Sequence, residues 1–150
     1  MAQGDDYNQR NGRKIKAQSI FLNGQVKINS SASETTMRVI IFWDKDSDGE
    51  TATASELLQD GGDLQSPLNY ANAGSRFKVI YDRNFSLSSN GPQIKNVYCY
   101  RRLYHHITYL GTGSTSGNNG TGTLFMLLMS NEPTNTPTFN YWARFRYTDN

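Results

Sequence analysis

The chain is poor in most of what chemistry needs. It has one cysteine in 150 residues, Cys99, so no intrachain disulfide can form and a reducing compartment is the expectation. Its two histidines, His105 and His106, are adjacent. In an extended segment neighbouring side chains point to opposite faces, so the pair cannot easily share one metal ion. There is no G-x-S-x-G, no phosphate-binding loop signature and no dinucleotide fingerprint. No run approaches the ~18 apolar residues of a membrane span, and no apolar N-terminal stretch reads as a signal peptide. These shortages point away from an enzyme and away from a membrane, and they require no cofactor.

What is present is the pattern of an all-β protein. Short apolar runs are separated by clusters of Gly, Asn, Ser and Thr. Residues 14–29 carry Ile15, Ala17, Phe21, Val26 and Ile28, with a change of register expected near Asn23–Gly24. In residues 36–44 (TMRVIIFWD) both alternating rows are apolar, which predicts a strand buried on both faces. Glu56-Leu57-Leu58, with Thr53 or Ser55 as N-cap, is the best helical stretch. Residues 76–87 (RFKVIYDRNFSL) alternate as far as Tyr81, and a turn or bulge is expected over 82–84. Residues 94–110 exceed one ordinary strand and should bend or split near 101–103. Residues 111–122 (GTGSTSGNNGTG) read as a flexible loop. Residues 124–129 (LFMLLM) read as a central buried strand, and 139–147 show the clearest period of two. The sum is about eight strands with one short helix between the second and third.

The formal net charge of +2 conceals a strong segregation. Residues 44–63 hold seven acids and one base, whereas residues 76–102 hold six bases and one acid. Such polarity lets a protein hold a polyanion on one side and repel it on the other. Arg10, Arg13, Lys14 and Lys16 precede or open the first strand, where cations neutralise phosphates without reading sequence. They equally suit a solvated strand end. Arg101 and Arg102 form a second basic site among Tyr98, Tyr100, Tyr104 and Tyr109. Aromatic faces beside guanidinium groups stack single-stranded bases, although tyrosine is also common in strands and at subunit contacts. Asp44, Asp46 and Asp48, followed by Gly49, match the opening of a calcium loop. The twelfth position is Ser55 rather than an acid, so an acidic turn is the competing reading and calcium stays open.

The run 36–44, the stretch 54–59 (ASELLQ) and the run 76–87, in that order behind a basic N-terminal segment, carry a family likeness. They resemble the single jelly-roll capsid (coat) proteins of circular single-stranded DNA viruses that encode a replication initiator, and more distantly satellite-virus coat proteins. The likeness extends from residue 10 to residue 149. The strand count alone also allows another sandwich; the resemblance selects an eight-stranded antiparallel jelly-roll sandwich. It implies residues 1–11 as a flexible arm and residues 12–150 as a single capsid domain. It further implies self-assembly into a small icosahedral, T=1 shell of about sixty copies enclosing single-stranded nucleic acid. Localisation would be the virion, assembled in the host nucleus or cytoplasm, with the host receptor left open. Arg10, Arg13, Lys14 and Lys16 would face the interior, although the family carries a longer arginine-rich arm than is seen here. The alternative is a jelly-roll module that binds carbohydrate or a receptor through Tyr98, Tyr100 and Tyr104.

Overall fold

The computed structural model describes residues 1–6 and 9–149. It contains six strands in two three-stranded antiparallel sheets. In chain order these are β1 (Lys14–Lys27), β2 (Glu34–Asp44), β3 (Phe77–Ser88), β4 (Ile94–Thr108), β5 (Thr123–Ser130) and β6 (Thr138–Asp149). The first sheet runs β4-β1-β6 and the second β3-β2-β5. Two single-turn helices, α1 (Ala54–Leu57) and α2 (Tyr70–Ala73), lie in the connection between β2 and β3.

Six strands replace the expected eight because β1 and β4 do not split. Their breaks in periodicity are bulges inside continuous strands. In β1 the pairing steps from Ala17 to Ser19 on both sides, leaving Gln18 as an extra residue. Opposite it, β4 steps from His105 to Arg102, and Tyr104 takes a φ of 54° to make the step. The register change therefore lies at Gln18 and not at Asn23–Gly24. Before it Ile15 and Ala17 face inward; after it Ile20, Leu22 and Val26 do. Phe21 consequently points out. Gly24 lies on the inward row, where a β-carbon would sit 2.6 Å from the Asn140 carbonyl oxygen, so its bareness lets β6 approach. In β3 the bulge falls at Ile80, not over 82–84, because Ile41 pairs with Tyr81 and Phe42 with Val79.

The core between the sheets joins Leu22, Val26, Met37, Val39, Ile41, Phe85 and Val97, and continues through Ile15, Trp43, Leu103 and Ile107. β2 is buried on both faces, as its sequence requires. Its second row, Ile40 and Phe42, is covered by Leu57, Leu58 and Phe77, so the connection 45–76 forms a third layer over the second sheet. Two arginines fasten that layer. Arg38 donates to both Asp82 carboxylate oxygens, at 2.8 and 2.7 Å, and to the carbonyls of Leu64 and Ser66. Arg76 donates to both oxygens of Asp44, each at 2.9 Å, and to Glu56 at 2.7 Å. Thr53 caps α1, its N–H donating to the Glu56 carboxylate.

β5 departs from expectation. Its apolar run reads as a central strand, yet it is the edge of its sheet and only half-buried. The glycine-rich segment after β4 is also more structured than a free loop. Thr108 N–H donates to Thr121, Leu110 N–H to Asn118, and the Ser47 hydroxyl to Gly120.

Candidate nucleic-acid interface

Directly opposed residues of antiparallel strands share a face, so the register fixes what the first sheet shows to solvent. The outer row of β1 carries Lys14 and Lys16 and, after the bulge, Ser19, Phe21, Asn23 and Lys27. β4 sets His106 opposite Lys16, Arg102 opposite Ser19, Tyr100 opposite Phe21 and Tyr98 opposite Asn23. On the other side β6 sets Arg146 opposite Ser19, Arg144 opposite Phe21 and Trp142 opposite Asn23. The face thus holds six bases: Lys14, Lys16, Lys27, Arg102, Arg144 and Arg146. Asp149 is the single acid in these three strands. It pairs with Ile15 on the inward row.

Aromatic rings lie among these cations. Phe21 makes edge contacts with Tyr98 and Trp142, at centroid distances of 5.6 and 5.8 Å. The Arg144 guanidinium sits 5.0 Å from the Trp142 ring centroid. Tyr98 and Trp142 remain 64% and 56% exposed, so their rings are open to a ligand. Ser19, Phe21, Tyr100, Arg144 and Arg146 line a shallow depression at the centre of the face. Chemically this is a cationic surface with stackable rings, bordered beside Arg146 by Asp5, Asp6 and Asp149.

The expected basic residues divide. Lys14 and Lys16 lie on this face and Arg13 is exposed at its margin. Arg10 is fully buried. Its guanidinium stacks 4.0 Å over the Tyr109 ring and donates to the carbonyls of Gly12 and Gly111. It is thereby spent on structure, and the expectation that it contacts phosphate is corrected. The described part of the expected arm folds back against the body: Gln3 N–H donates to Thr112 and Arg10 N–H to Ala2. Tyr7 and Asn8, which belong to that expected arm, and Asn150 of the expected domain lie outside the described residues. Arg101 and Arg102 do not form one site. Arg102 joins the outer face, whereas Arg101 pairs with the inward Ile20 and lines a hollow with Tyr81, Asp82 and Arg83. Sequence reasoning missed Arg144, Arg146 and Lys27. The signal was the polar row Asn140, Trp142, Arg144, Arg146, alternating with Tyr141, Ala143 and Phe145.

The acidic residues do not build a calcium loop. Asp44 is fully buried with both oxygens on Arg76, and it also accepts the Asp46 N–H, so it does not converge with Asp46 and Asp48. Among the described residues no group of three or more metal-ligating side chains comes together. Asp46, Asp48, Glu50, Asp60 and Asp63 are exposed in the connection between β2 and β3; the first three lie beside the 111–122 segment, where Ser47 donates to Gly120 and Gly49 approaches Gly117. The Glu56 carboxyl is held below its ordinary value by the Thr53 N–H and hydroxyl and by Arg76.

A family model for the satellite tobacco necrosis virus coat protein matches residues 1–150. The chain belongs to the satellite tobacco necrosis virus coat protein family. The capsid protein of Satellite tobacco necrosis virus 1 is 29% identical to it over 127 residues, which cover 83% of this chain and 62% of that protein. The chain therefore spans less than two thirds of the relative's length. The matching family is the satellite-virus one that the sequence resemblance made the more distant relation, and the circular single-stranded DNA virus group is not the group matched. A coat-protein family has a structural role, which accords with a site made of cations and rings rather than of paired acids, bases and nucleophiles.

Proposed function

We propose that this chain is the structural subunit of a small closed shell, and that the outer face of β4-β1-β6 lies against single-stranded nucleic acid in its interior. The single observation that carries the second part is six bases on the outer rows of the three strands, with no acid on those rows and exposed Tyr98 and Trp142 between them. The bases neutralise phosphates and release counterions, and the rings stack bases of any identity. The acidic third layer then faces outward or towards neighbours. The fold would be a jelly roll, and the shell a T=1 particle of about sixty copies closed by repeating the same heterologous contacts about rotation axes. Each contact can be weak because many close together. The working location is the virion.

The test uses anisotropy of a labelled 20-nucleotide single strand, as DNA and as RNA, across a salt series. Replacing Arg102, Arg144 and Arg146 with Ala should lower affinity at least tenfold at low salt. It should also flatten the slope of log K against log salt by about 2, since each phosphate contact on a single strand contributes ~0.7. An unchanged slope would remove the nucleic-acid assignment. Glycan binding that survives the loss of all three arginines would favour the binding-module alternative. Electron microscopy of the purified protein tests the shell, and a monomer under all conditions would count against it.

A further inference from the structure

β3 and β4 are the edges of their sheets on one flank of the sandwich. The register gives the rows that look into the cleft between them. On β3, Lys78 pairs with Trp43 and Arg83 with Val39, both core residues. On β4, Arg101 pairs with Ile20 and His105 with Ala17, again core residues. The inward rows of this flank thus carry basic residues where apolar ones are the rule, and they hold no acid. The two pairs settle their repulsion differently. Lys78 Nζ lies 3.1 Å from His105 Nε2, a hydrogen bond in which a neutral imidazole accepts from the ammonium. Arginine has no such escape, because a guanidinium does not lose its proton. Arg83 and Arg101 line one hollow of about 460 Å³, together with Tyr81, Asp82 and Cys99. Among the described residues neither arginine has an acid within ion-pair distance. Both Asp82 oxygens are taken by Arg38. Tyr81 is 8% exposed, its ring centroid is 6.0 Å from the Arg83 guanidinium carbon, and among the described residues its hydroxyl makes no hydrogen bond. Burial lifts its pKa above the ordinary 10, so the hydroxyl is a donor at neutral pH. One inward charge on either edge would suffice to blunt edge-to-edge pairing. Two that face one hollow repel each other unless an anion lies between them.

We propose that the hollow between β3 and β4 binds a small oxyanion of the phosphate class, held by Arg83 from one sheet and Arg101 from the other, with the Tyr81 hydroxyl donating to it. Guanidinium forks match the oxygens of such an anion in pairs, and a tetrahedral dianion offers enough acceptors for both forks and the hydroxyl. Chloride offers one centre and cannot span the two sheets. The consequence is mechanical as well as chemical. β3 and β4 belong to different sheets and no hydrogen-bonded ladder joins them, so the anion would clip the sandwich together along this flank. An anion that binds only the folded chain stabilises it in proportion to its occupancy. The site is separate from the outer face: Arg102, next in sequence to Arg101, pairs with Ser19 and points the other way. It stands whether or not that face binds nucleic acid. A free phosphate ion and the phosphate of a small ester share the chemistry described.

Calorimetric titration with inorganic phosphate, at fixed ionic strength balanced by chloride, should show one saturable site. Arg83→Gln and Arg101→Gln should each weaken it about tenfold, the scale of one charge-assisted partner. Arg102→Gln, on the outer face, should leave it unchanged. Conversely, both inward variants should keep the single-strand affinity of the parent protein. Should either variant fold poorly by circular dichroism, urea unfolding of the unsubstituted protein decides. Its midpoint should rise with phosphate and then level off, whereas salt excluded from the surface gives a rise that does not saturate. A nucleoside 5′-monophosphate that displaces phosphate identifies the ester as an occupant, and one that does not leaves the free ion as the ligand; either result keeps the site. Absence of saturable binding, binding that survives in the variant lacking both Arg83 and Arg101, or equal weakening by Arg102→Gln would overturn the proposal. Binding of the unphosphorylated nucleoside in place of phosphate would do the same.

Discussion

Two side chains show how single residues set the properties of the molecule. Arg38 is buried in an apolar strand, yet each of its three guanidinium nitrogens donates, to Asp82 or to the carbonyls of Leu64 and Ser66. It ties the third layer to β2. Replacing it with Met keeps the stem but leaves a carboxylate and two carbonyls short of a partner. We expect Arg38→Met to cost about 2–4 kcal/mol in urea unfolding. A loss below about 0.5 kcal/mol would mean that water replaces the guanidinium there. His105 is the second case. Its ring lies 5.0 Å from that of Trp43, and Nε2 is 3.1 Å from Lys78 Nζ. Burial, then Lys78, Lys45 and His106, hold its pKa below the ordinary 6.5. The unfolded chain therefore binds this proton more readily than the folded one. The contribution to stability is full above pH 6.5 and falls as pH drops from there to the lowered folded value. His105→Gln should flatten urea stability between pH 7.5 and 5.5; an unaltered slope would assign that pH dependence to other groups.

At the scale of the element, bulges decide the arrangement. Gln18 and Ile80 each reverse which row of their strand faces the core, whereas the two residues of the Leu103–Tyr104 step leave the odd row of β4 inward on both sides. Gly24 keeps the middle of β1 close to β6, and Gly24→Ala must push Asn140 and Tyr141 outward. We expect a loss of about 1–3 kcal/mol, with faster amide exchange confined to β6. Exchange that quickens equally in β4 would show that β1 moves instead. The same elements mark the limit of what the sequence discloses. β2 is legible because its two apolar rows both find cover, one in the core and one under Leu57, Leu58 and Phe77, whereas the equally apolar run of β5 does not. The helix turn at Ala54–Leu57 is legible through Thr53 and Glu56. The bulge in β1 is not, because Phe21 looks like a core residue and sits instead among Tyr98 and Trp142 on the outer face. The basic face was half legible. Lys14, Lys16 and Arg102 stand out as charges, whereas Arg144 and Arg146 acquire meaning only when β6 is laid beside β1. Arg10 misled because charge suggests exposure, while the Tyr109 ring and the Gly12 and Gly111 carbonyls take it inside.

The whole molecule is a stack of layers: a basic sheet face, a core, a second sheet and an acidic covering. Arg38 and Arg76 lock the acidic covering in place, so the separation of charge is built into the fold. Net charge hides this, because +2 describes neither surface. A protein so arranged has a dipole directed through its thickness, and column behaviour should reveal it. At neutral pH and low salt it should adhere to both cation- and anion-exchange resins, by opposite faces. Charge removal at Arg102, Arg144 and Arg146 should abolish the first interaction and spare the second. When copies surround a common centre with their basic faces inward, these dipoles become radial. The proposed particle would then be a concentric capacitor, attractive to polyanions within and repellent to them outside.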